Sequence, residues 1–119
     1  MADYLPKFKP GEAVTFTASA AVTGGRLVAV TGARSVGPAG ADSALVVGVA
    51  GFDAAIGEAV TVFTRAGGIH GLTASAAIAA GAKVASAAAG KVATAGTNAV
   101  GIALTAAAAD NDVIDVLFI

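Results

Sequence analysis

The sequence predicts an all-β protein, a small pseudo-twofold β-barrel or sandwich of about 8–10 short strands behind an extended N-terminal arm. Three observations lead there. Val, Ile and Thr occupy 31 of the 119 positions against seven for Leu and Met, and Gln is absent. Sixteen glycines recur every few residues, and each would cost about 1 kcal/mol relative to Ala inside a helix. Segments of the chain also repeat in order. The 33 alanines taken alone would favour helix, but β-branched runs bounded by Gly, Asp, Asn and Ser are the mark of strands.

The first ten residues stand apart. Met1 to Pro10 hold two of the three prolines, two of the six aromatic residues and two of the four lysines. Two prolines bias the segment towards extended or polyproline-like backbone. An aromatic and basic arm of this kind suits docking onto a neighbouring surface, with Tyr4, Leu5, Lys7, Phe8 and Lys9 as its contact residues.

A single β domain, residues 11–119, is expected to follow. Its strands are expected at Ala13 to Thr17, Arg26 to Thr31, Leu45 to Ala50, Ala59 to Thr64, Ile69 to Thr73, Ala82 to Ser86, Lys91 to Thr94, Val100 to Thr105 and Asp112 to Phe118. Val14 and Phe16 alternate with Thr15 and Thr17, as in a half-buried strand. The unbroken run from Leu45 to Ala50 fits a strand buried on both faces. Thr73 to Ala80, which opens on an N-cap residue type and stops at Gly81, reads as a short helix, and so does the turn at Ala106 to Ala109. The clusters Gly24-Gly25, Gly37 to Gly40 and Gly67-Gly68 read as turns, and none forms a phosphate-binding loop.

The repeat sets the architecture. Gly11-Glu12-Ala13-Val14-Thr15 recurs as Gly57-Glu58-Ala59-Val60-Thr61. Thr17 to Val22 matches Thr73 to Ile78, Gly25-Arg26-Leu27-Val28 matches Gly81-Ala82-Lys83-Val84, and Val46 to Ala50 matches Ala99 to Ala103. Asp112 to Phe118 is a weaker echo of the first element. Repeats of roughly 11–50 and 57–105 follow, with an insertion around Arg65 to Leu72. Two similar halves that close on each other hide their strand edges.

Composition narrows the function. With no cysteine, a disulfide scaffold or thiolate metal site is excluded. A net charge of −1 argues against a nucleic-acid partner. Mean hydropathy is high at +0.82, yet the longest uncharged stretch, Val92 to Ala109, is broken by three threonines, two glycines and Asn98, unlike a membrane span. Asp3 and Pro6 stand where a signal peptide would be basic and apolar, so a soluble intracellular product is expected. A core of small side chains is thin at about 0.8 kcal/mol per buried CH₂, which fits a chain that works in an assembly.

No catalytic constellation is visible. His70 has no Ser or Asp placed to pair with it and reads as a surface or interface histidine. Asp110, Asn111, Asp112 and Asp115 lack the Gly and the final Glu of a calcium loop and read as a polar turn leading into an edge strand. No enzyme activity, cofactor or metal is therefore expected. Lys83 and Lys91 flank a hairpin as in a lipoyl or biotinyl carrier, without that motif's neighbours. Thr15 and Thr17 leave an ice-binding or adhesive surface as a further alternative.

Taken in order, the motifs resemble the bacteriophage head decoration (capsid cement) family. The resemblance runs from Gly11 to Phe118 through the G-E-A-V-T strand, Val46 to Phe52, Ala79 to Val84, Gly90-Lys91-Val92, Ala99 to Ala103 and the closing Val113 to Leu117. It implies a virion protein, made in the host cytoplasm, that binds the outside of an assembled capsid. Such proteins often bind as trimers and reinforce contacts between major capsid subunits. Under that resemblance Tyr4, Leu5, Phe8 and the adjacent Lys7 and Lys9 meet the shell.

Overall fold

The computed structural model describes residues 12–65 and 68–119. These residues form ten strands in chain order: β1 (Ala13–Ala18), β2 (Leu27–Gly32), β3 (Ser35–Pro38), β4 (Val46–Ala50), β5 (Ala59–Thr64), β6 (Ile69–Thr73), β7 (Lys83–Ser86), β8 (Val92–Ala93), β9 (Ala99–Ala103) and β10 (Val113–Phe118). A single 3₁₀ turn, Ala88–Gly90, joins β7 to β8. Alternation sets the faces. In β1, Val14 and Ala18 are buried while Ala13, Thr15 and Thr17 face out, and in β10 Ile114, Val116 and Phe118 are buried while Val113 and Asp115 face out.

β1, β3, β2, β4 and β5 pair in that order and β5 returns to β1, closing a five-stranded barrel. The second sheet runs β6, β10, β9, β7, β8, and a parallel bridge from Ala74 to Val92 links its two ends. Both halves thus have the same cyclic order. In each, the first strand meets the third in parallel: Thr17 and Ala18 pair with Ser35 and Val36, and Ala74 bridges Val92.

The equivalence extends to single atoms. The Ser19 and Ser75 N–H groups donate to the Val36 and Val92 carbonyls, Gly25 and Gly81 to Ala50 and Ala103, and Gly57 and Asn111 to Ala18 and Ala74. The ladder to β4 shifts register at Val47, and the ladder to β9 shifts at Val100, a bulge that strengthens the local twist. The residue after each bulge is a glycine, Gly48 or Gly101. A Cβ there would collide with the Phe63 or Leu117 carbonyl oxygen of the neighbouring strand, so only glycine fits.

Two cores result. Ala18, Val22, Val28, Val36, Ala50, Ala54, Val60 and Val62 fill the first barrel. Their counterparts Ala74, Ile78, Val84, Val92, Ala103, Ala107, Ile114 and Val116 fill the second half, but that cluster also takes in Leu27, Ala29, Ala39, Val46 and Val49 from the first half. The outer face of β2 and β4 is thereby buried against the second sheet.

Several expectations are corrected. The turn expected at Gly37 to Gly40 instead opens on the last two residues of strand β3, Gly37 and Pro38. Thr73 to Ala80 is not a helix: Thr73 ends β6, and Ala74 and Ile78, both buried, form bridges to Val92 and Ala107. Ala106 to Ala109 is likewise bridge and bend. The described part of the Gly11–Thr15 and Gly57–Thr61 identity falls on β1 and β5, antiparallel neighbours in one barrel. Their shared pattern of inward Val and outward Ala and Thr explains the match, whereas the topological repeat pairs β1 with β6 and β5 with β10. The expected insertion around Arg65 to Leu72 accordingly contains β6, the first strand of the second half.

Gly101→Ala is expected to lower stability by about 2 kcal/mol through overpacking. Gly40→Ala, where the added methyl meets nothing within 4 Å, should stay within about 0.5 kcal/mol. Urea unfolding of the two variants measures the difference.

Candidate functional site

The arm residues Tyr4, Leu5, Lys7, Phe8 and Lys9 lie outside the described residues. The chain becomes described at Glu12, whose carbonyl accepts hydrogen bonds from the Thr64 N–H at 3.4 Å and the Thr64 hydroxyl at 2.7 Å. Glu12 thus sits at the end of β5, next to the Ala13–Phe63 pair.

That junction is a polar latch over the shared core. The Asp42 carboxylate accepts the Thr97 and Asn98 N–H groups at 3.0 and 2.8 Å, and the Asn98 side-chain amide donates back to the Asp42 carbonyl. The Asn98 and then the Thr97 backbone N–H hold the Asp42 carboxyl below the usual carboxylate range. Ser86, the buried polar side chain of the core, donates to the Gly40 carbonyl at 2.7 Å and accepts from the Ser43 N–H at 2.9 Å. Arg65 spans the junction, donating to the Val46 carbonyl of the first half and the Ala99 carbonyl of the second. Sequence reasoning missed these residues because Asp42 and its partners lie 55 and 56 positions apart and no local motif announces them.

His70 also belongs to the junction. Its ring centroid lies 6.2 Å from that of Phe63 in the first half and 5.1 Å from that of Phe118 in the second. It is half-buried, and loss of solvation pushes its pKa below the usual histidine value.

The other candidate residues have structural tasks. Asp112 caps a turn by accepting the Ala108 and Ala109 N–H groups at 2.8 and 3.1 Å, as Glu58 does for the Ala55 N–H at 2.6 Å. Asp110 pairs with Lys91 at 3.0 Å, and the Asp115 N–H bonds to the Thr105 hydroxyl. The strand they lead into is not an edge: β10 lies between β6 and β9. The Lys91 amine is occupied by that ion pair, and Lys83 is exposed on β7. Among the described residues, no group of three or more His, Cys, Asp or Glu side chains could hold a metal. No helix among them is long and apolar enough to cross a membrane.

The profile of the phage cement protein family matches residues 8–118. The curated proteins contain no match. Among solved structures, the head fiber gp8.5 N base of bacteriophage phi29 is similar, with a TM-score of 0.75 and 18% identity, over 91% of this chain and 93% of that one.

Stability should depend on pH through His70. Its folded-state pKa lies below the unfolded value of about 6.5, so the unfolded chain binds more protons in between and stability falls as the pH drops through that value. His70→Phe should flatten the decline in thermal midpoint between pH 7 and pH 5, and an unchanged slope would assign it to other groups.

Proposed function

The chain belongs to the phage cement protein family, and from that premise we propose that it binds the outer surface of an assembled capsid and stabilises it. As a member of that family it is a structural protein of a bacteriophage. The observation that carries the proposal is the extent of the family match, from Phe8 to Phe118, which takes in both halves and the end of the arm.

The mechanism is linkage. A protein that binds the assembled lattice and not its free subunits lowers the free energy of the assembled state, and many copies on one shell act together. The role is structural and needs no catalytic group. Tyr4, Leu5, Lys7, Phe8 and Lys9 supply contacts to the major capsid protein in this proposal. A homotrimer is the proposed form on the shell, in keeping with a chain whose interior is chiefly Ala and Val.

Deleting residues 1–10 should abolish sedimentation with shells of the cognate major capsid protein while leaving the unfolding transition in place. Undiminished binding by the truncated chain would remove the arm from the contact. Wild-type protein should raise the temperature at which such shells disrupt, in proportion to the sites filled.

A further inference from the structure

The duplicated fold contains its own control for what a solvent-facing sheet looks like. The outer face of β1 and β5 pairs Ala13 with Phe63, Thr15 with Thr61 and Thr17 with Ala59. The same register in the second half pairs Ile69 with Leu117, Gly71 with Asp115 and Thr73 with Val113. On the adjacent strand Val49 and Gly51 of the first half correspond to Ile102 and Leu104. One backbone surface thus carries mainly Ala and Thr in the first half and Ile, Val and Leu in the second.

That apolar face lies open. Ile69 is 61% exposed, Val113 68% and Leu104 45%, while Leu117 and Ile102 between them are half-buried. Nothing among the described residues covers it. By contrast, Leu27 and Val49 on the first half's outer face are 0% and 4% exposed, because the second half packs on them. Lys83 stands where Leu27 would be and sets a charged border along β7. Exposed Asp115 and Gly71 separate Val113 from the Ile69–Leu117 row, and a sheet face that still exposes this many aliphatic side chains marks an interaction site.

We propose that the outer face of β6, β10 and β9, centred on Ile69, Val113 and Leu117, is the surface that seats on the capsid shell. The proposal rests on the reading that the chain is a cement protein. Size favours the shell over a second copy as the occupant. Three strands about 4.8 Å apart and five residues of about 3.3 Å each make a face of roughly 240 Å², against about 800 Å² per partner in a stable pair. Such a face is too small to hold two free molecules together. It suffices on a lattice, where the arm adds a second contact and neighbouring sites multiply the effect.

The test places charge of either sign on the face, with Val113→Asp and Val113→Lys, and at the equivalent position of the first half, with Ala59→Asp and Ala59→Lys. All four side chains enter at exposed positions, and the unfolding transition of each variant checks that the fold persists. Binding to shells of the cognate major capsid protein is measured by sedimentation, and the size of the free protein by analytical ultracentrifugation. Both Val113 variants should bind at least tenfold more weakly than wild type at unchanged size, and both Ala59 variants within twofold. Unchanged binding of the Val113 variants overturns the assignment, as does a change in their size in solution, which would make the face a contact between copies. Failure of the wild-type chain to bind shells removes the cement reading itself and this inference with it.

Discussion

The second half of the molecule cannot complete its core alone, and the rest of the structure follows from that dependence. Its sheet joins end to end through one parallel bridge, and its apolar cluster is finished by Leu27, Ala29, Ala39, Val46 and Val49 of the first half. Side chains as small as Val and Ala bury little area each, at about 25 cal/mol per Å², so burial has to be gathered from both halves. The polar latch then lies over that core. Ser86 and Arg65 satisfy part-buried backbone groups where one half packs on the other, Asp42 binds exposed N–H groups at the rim, and no buried side-chain polar atom among the described residues lacks a partner.

The two halves agree inside and differ outside. Val28 and Val84, Val60 and Ile114, and Ala54 and Ala107 take equivalent interior places, because a barrel of this girth fixes the volume available to each. Outer positions obey no such limit. There Thr15 corresponds to Gly71, Ala59 to Val113 and Leu27 to Lys83, so the first half's outer face packs inward at Leu27 while the second half's carries the exposed aliphatic side chains. A shared fold therefore bears different tasks on its two copies.

Much of this was legible in the sequence, for identifiable reasons. Strands such as Ala59–Thr64 and Ile69–Thr73 were read with their observed bounds because alternation of Val or Leu with Thr or Gly leaves little choice of face. The all-β class and the existence of a duplication were legible in the same pattern, and the family resemblance agrees with the family match. The place of the repeat's first element was not, because Glu12 to Thr15 and Glu58 to Thr61 share a pattern that suits two adjacent strands equally well. Helix was expected at Thr73 to Ala80 from the N-cap residue type at its start and the glycine at its end, and long-range bridges to Val92 and Ala107 overrode it. The junction was out of reach because it is made wholly of contacts between distant segments. The arm residues lie outside the described structure.

The bridge between Ala74 and Val92 has a mechanical side. Where the first barrel joins β1 to β3 through two paired residues, the second joins β6 towards β8 through one. The antiparallel ladders from β6 through β10 and β9 to β7 each hold three or more residue pairs, so this seam is the place where the wall is thinnest. Local opening there costs few hydrogen bonds and leaves the ladders intact.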